Sequence, residues 1–176
     1  PTAICVYAFP SVAVTVLPLS LLHLGHAVAF AGLISAVALG AGAVVQPGAH
    51  LLGARTAYVG VAIGALGYGL GAAAAHEESM PLALAAGVLL GAGSGLCLNA
   101  GLVLVHQLST PLTRGACNGL FYTWAYLGFA APFLSTAFAV GNLSTPLTVL
   151  AAVALATSIW LAASLRPSKT GPGARD

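Results

Sequence analysis

Asn118, Tyr122 and Tyr126 stand four residues apart in NGLFYTWAY, and Phe129 prolongs the line. A helix brings residues at that spacing onto one face. Such a face would be a mostly apolar wall carrying one amide and two phenols, the composition of a small-molecule site. Packing against a neighbouring helix uses the same residue types, so both readings stand. Trp124 falls off this face. Asn99 sits inside another apolar stretch and needs a partner or water there. Lining a cavity and bonding to a second helix would each supply one.

Other reactive residues point to less. GAGSGL places Ser94 among glycines, but Ala92 stands where an intramembrane serine protease of rhomboid type would have glycine. No histidine follows in the last 70 residues to act as its base. His23 and His26 have metal-compatible spacing without a nearby Cys, Asp or Glu to complete a set, so a solvated interfacial pair is expected. His76 and His106 read as ends of apolar stretches. Cys5, Cys97 and Cys117 show no ligand spacing and read as reduced thiols in an apolar setting. No metal, no cofactor and no enzymatic activity is expected.

The elements that carry these residues follow from composition. The 176-residue chain is 59% hydrophobic and 5% charged, with a mean hydropathy of +1.00. A soluble domain is about a quarter charged, and eight ionic side chains cannot wet a folded surface. Lipid must be the main solvent. A net charge of +2 gives no basis for binding nucleic acid. No basic segment precedes the first apolar stretch, so no signal peptide is expected, and a start at Pro1 reads as cut.

Punctuation divides the chain into six apolar blocks, about 2–22, 26–46, 56–75, 80–106, 112–140 and 145–165. Each could cross a bilayer, which takes about 20 helical residues. The reading is an all-α integral membrane protein: a six-span bundle over residues 1–165 and a basic tail over 166–176. Breaks at 23–25, 47–54, 76–79, 107–111 and 141–144 are short, which makes neighbouring spans antiparallel. LSTPLT occurs at 108–113 and 143–148. Both copies are expected to start a helix, on opposite sides of the membrane.

Six alternating spans put Arg55, Arg114 and the tail's Arg166, Lys169 and Arg175 on one side, and Glu77 and Glu78 on the other. The excess of cations on cytoplasmic loops then predicts both termini inside, in a plasma (inner) membrane. Arg55 is first an orientation anchor, with a part in a conformational latch as the alternative. No Asp, Glu, Lys or Arg lies mid-span, so no coupling carboxylate is present in these spans.

Small residues predict how the spans meet, because lipid removes the hydrophobic drive for association. Gly60, Gly64, Gly67 and Gly71 share one face of span three, and Gly87, Gly91 and Gly95 one face of span four. Gly32, Ala36 and Gly40 are expected to line span two, and Gly115 and Gly119 the start of span five. Pro10 and Pro132 should kink spans one and five.

The combination resembles the C-terminal half of a major facilitator superfamily transporter. QPGAHLLGART (46–56) is similar to that family's cytoplasmic loop: Gly53 and Arg55 match, while His50 and Leu51 depart from its charged pattern. TPLTRGACNGLFYTWAYLGFAAP (110–132) is similar to its penultimate span, with Arg114 at the start and Tyr126, Gly128 and Pro132 at the finish. SVAVTVLPLSLLHLGHAVAFAGL (11–33) is similar to its first C-half span and turn. The resemblance implies two six-helix halves around a central cavity and transport by alternating access. Spans one, two, four and five would line the cavity, and spans three and six would face lipid. Asn99, Asn118, Tyr122, Tyr126 and Phe129 then become cavity residues. The implied partners are the bilayer, a small organic solute and a missing N-terminal half or second copy. The expected activity is secondary transport, by efflux, of an apolar or amphipathic solute. The alternative is a non-transporting six-helix scaffold or subunit.

Overall fold

The computed structural model describes residues 2–19, 27–137 and 142–165. His23, His26, the 23–25 break and the basic tail lie outside the described residues. The described residues are mostly helical: α1 (Thr2–Leu19), α2 (Ala27–Val45), α3 (Thr56–Glu77), α4 (Met80–Leu108), α5 (Arg114–Tyr126), α6 (Ala130–Ala137) and α7 (Ser144–Ser164). Among the described residues, five helical stretches are long and apolar enough to cross a membrane: Thr2–Leu19, Val28–Leu51, Gly53–Glu77, Met80–Leu108 and Ser144–Ser164. Helices satisfy their own backbone polar groups, which is what an apolar solvent demands.

The expected fifth span, 112–140, is not one helix. A 3-10 turn at Leu127–Phe129 separates α5 from α6. Pro132 is the cause. It has no N–H for the Gly128 carbonyl, and its ring crowds that carbonyl. The preceding turn tightens instead.

Helix α4 is the centre of the bundle. One face meets α2 through Gly87, Gly91 and Gly95, which lie against Ile34, Ala38 and Gly42. A Cβ on Gly87 would come within 2.9 Å of the Ile34 side chain, and one on Gly91 or Gly95 would overlap the α2 backbone. Another face meets α3. A Cβ on Gly60 would sit 2.9 Å from the Leu96 side chain, and one on Gly67 equally close to Leu90. Gly64 accommodates the Phe9 ring of α1, and Gly71 faces Leu17. Both glycine stripes of α3 and α4 therefore pack at contact distance.

The small-residue line of α2 points elsewhere. Gly32, Ala36 and Gly40 are exposed, and nothing approaches the two glycines within 4 Å. The packed face, Ile34–Ala38–Gly42, has the same four-residue spacing but lies two positions on. Spacing reveals a face of small residues without saying which neighbour covers it. Gly115 and Gly119 are likewise open.

These pairings fix direction. Ile34–Gly87 and Gly42–Gly95 make α2 and α4 parallel, whereas Gly60–Cys97 and Gly71–Ala86 make α3 and α4 antiparallel. Arg55 and Arg114 therefore emerge at one end of the bundle, and Glu77 and Glu78 at the other. The two LSTPLT copies lie at opposite ends, but they differ in structure. In the first, Thr110–Thr113 forms a turn ahead of α5, with the Thr113 hydroxyl accepting from the Thr110 N–H at 3.0 Å. In the second, Pro146 sits in the first turn of α7, and Asn142 Oδ1 accepts from the Ser144 N–H at 2.9 Å.

Candidate solute cavity

The cavity begins with a proline. Pro10, inside α1, supplies no N–H to the Val6 carbonyl one turn back. Ser94 of α4 takes that place: its hydroxyl donates to the Val6 carbonyl at 2.6 Å. This bond crosses between helices 88 positions apart and holds α1 against α4 where the helix ladder lacks a donor.

Beside this junction lies an open cavity of about 630 Å³. Its lining comes from four spans. Helix α1 contributes Tyr7, Ser11 and Thr15, and the α2–α4 seam supplies Ala38, Gly42, Gly91 and Gly95. Ser94 and Leu98 extend the α4 wall. The broken fifth span contributes Phe129, Pro132, Phe133 and Thr136. Gln46 stands where α2 passes into the arginine-bearing link, and Leu19 at the other end of α1. Helices α3 and α7 supply none of the lining residues. Among the described residues, none that lines the cavity is charged.

One part of the wall is aromatic. Tyr7 stacks on Tyr126 with centroids 5.2 Å apart and on Phe129 at 4.9 Å. Tyr126 and Phe129 are 6.0 Å apart, nearly parallel. Gly128 makes this pile possible, since a Cβ there would run into the α1 backbone at Ile4 and Ala8. Removing the side chain lets the 3-10 turn seat directly on α1.

The residues singled out from the sequence separate here. Phe129 lines the cavity, and Tyr126 joins it through the stack. Tyr122 instead packs edge-on against Phe121 at 5.4 Å, and it does not line the cavity. Asn99 and Asn118 are half-buried and are not among the lining residues. Tyr7 was not legible: it is a single phenol in α1 with no periodic companion. Ser94, weighed in the sequence only as a nucleophile, gives its proton to a carbonyl.

The link between α2 and α3 is ordered into two short 3-10 helices, Gln46–Leu51 and Gly53–Arg55. Gly53 takes φ +51°, a left-handed value that glycine adopts freely. The Thr56 hydroxyl closes the link by donating to the carbonyls of Ala49 and Gly53 at 3.0 and 2.7 Å. His50 Nδ1 meets the Pro47 carbonyl at 2.6 Å. Arg55 is exposed. Among the described residues no group of three or more His, Cys, Asp or Glu could hold a metal ion.

Comparison with protein-family models, with curated proteins and with solved structures finds no match to this chain.

Proposed function

We propose that this chain is one six-span half of a secondary transporter that moves a small organic solute, by efflux, through alternating access. The carrying observation is the cavity: about 630 Å³, with no charged side chain among its described lining residues, and lined by spans one, two, four and five around a broken fifth span. Its volume falls in the range of small-molecule sites, about 300–1,000 Å³. A broken helix beside a mid-bundle cavity is a recurring feature of carriers. The resemblance to the C-terminal half of a major facilitator superfamily transporter supports the same reading. The arginine-bearing end would face the cytoplasm of a plasma (inner) membrane, with both termini there. A second six-span bundle, either a missing N-terminal half or another copy, would close the open side. The competing reading, a non-transporting scaffold, predicts a fixed cavity.

Cysteines placed at the two ends of the cavity separate these readings. Leu19→Cys and Gln46→Cys are introduced in a chain whose Cys5, Cys97 and Cys117 are replaced. A bulky maleimide on the Gln46 position holds that end open. A carrier then closes the other end, and labelling of the Leu19 position falls several-fold. Unchanged labelling would leave the scaffold.

A further inference from the structure

The cavity wall has a chemical polarity of its own. Four hydroxyl residues line it: Ser11, Thr15, Ser94 and Thr136. Each gives its single proton to a backbone carbonyl. Ser11 donates to Ala8 at 3.1 Å, Thr15 to Ser11 at 2.6 Å and Ser94 to Val6 at 2.6 Å. Thr136 donates to Pro132 at 3.0 Å, within reach also of Phe133. A hydroxyl has one proton and two lone pairs. What these four groups retain for a ligand is therefore acceptor capacity. Among the described lining residues, the side-chain donors left over are the Gln46 amide, at one end, and the Tyr7 phenol, which belongs to the aromatic stack.

Resting on the reading of this cavity as the solute site, we infer that it selects an uncharged, planar aromatic solute that carries a hydrogen-bond donor, a phenol, an indole N–H or an aryl amine. Three features carry this. The described wall has no charged residue, so an ionic ligand would be desolvated there without a counter-charge. Tyr7 and Phe129, both lining residues, stack on each other at 4.9 Å and make an aromatic stretch of wall that suits a flat ring. The acceptor-rich hydroxyls reward a donor. Beside the four hydroxyls, away from Gln46, a ligand with acceptors alone would lose its water and meet lone pairs.

The test is equilibrium dialysis of the protein as purified from its own membrane, placed in lipid nanodiscs, with empty nanodiscs as the blank and 2-naphthol as the probe at neutral pH. Its relatives isolate each feature. 2-Methoxynaphthalene lacks the donor, decahydro-2-naphthol lacks the plane, and 2-naphthoate and 2-naphthylmethylammonium carry charge. Saturable 2-naphthol binding is expected, lost in Ala43→Trp, which fills the cavity, and equally in Thr136→Trp should the first variant fail to fold. The methoxy compound should bind about 10-fold or more weaker, the loss of roughly one hydrogen bond. The saturated alcohol should also bind more weakly, and neither ion should saturate. The inference is overturned by equal or tighter binding of the methoxy compound or of either ion, by binding that survives both cavity-filling variants, or by no saturable binding of 2-naphthol. Its fate is separable from that of the carrier reading. Selective binding with uncoupled cavity ends upholds the ligand class and removes transport, while coupled ends with unselective binding do the reverse.

Discussion

The Ser94 hydroxyl lies 2.6 Å from the Val6 carbonyl, the acceptor for which Pro10 has no N–H to offer. Two irregularities in different helices thus answer each other. Removing the hydroxyl with Ser94→Ala strands a buried carbonyl, which costs about 1–3 kcal/mol. Pro10→Ala returns a backbone donor, so the same serine substitution should cost little in that background. A double-mutant cycle read by reversible unfolding in mixed micelles should give coupling of about 1 kcal/mol or more. Additive effects would contradict the assignment.

Glycine positions should divide by what they face. Gly91→Ala puts a methyl into the Ala38 backbone and should force α2 away from α4, costing about 3 kcal/mol or more, the upper end for overpacking. Gly40→Ala meets nothing within 4 Å and should be neutral or stabilising by up to about 1 kcal/mol, the helix-propensity difference. Thermal unfolding of the two variants in one detergent makes the comparison.

Tyr68 is 2% exposed, and its hydroxyl has no hydrogen-bond partner among the described residues. Tyr68→Phe keeps the edge-on contact with Phe9, at 5.3 Å, and deletes only the unsatisfied group. The variant should be more stable by about 1 kcal/mol. Loss of stability would mean that the hydroxyl has a partner.

The two tyrosines of the α5 stripe should behave differently. Tyr126→Ala removes a member of the stack that forms the cavity wall and should weaken 2-naphthol binding by several-fold. Tyr122→Ala, which removes a contact with Phe121 and leaves the Tyr7–Tyr126–Phe129 stack in place, should leave binding within about twofold. Gly128→Ala should resemble the first variant, because a methyl there pushes the 3-10 turn off α1 and opens the pile.

Much of the architecture was readable from composition. Apolar blocks bounded by Pro, Gly and charged residues gave α2, α3, α4 and α7 to within a few residues, since lipid imposes length and apolarity on every span. The glycine faces of α3 and α4 were readable for the same reason. Partner choice was not. Gly32–Ala36–Gly40 and Ile34–Ala38–Gly42 both repeat every four residues, and local spacing cannot rank two faces of one helix. The cavity was partly readable. Phe129 followed from the α5 stripe, and Pro132 foretold a disturbance whose tight turn carries that ring inward. Tyr7 had no periodic signal, because its companions lie 119 and 122 positions away. Pro10 did leave one clue, a carbonyl in want of a donor, but nothing local identified Ser94.

The most direct measurement of the central claim is the native mass of the protein purified from its own membrane, in a mild detergent. A carrier of the proposed kind needs about twelve spans around its cavity. The account predicts either a polypeptide about twice 17.3 kDa or two associated copies of the 17.3 kDa chain. A lone 17.3 kDa monomer with saturable solute binding absent would contradict it.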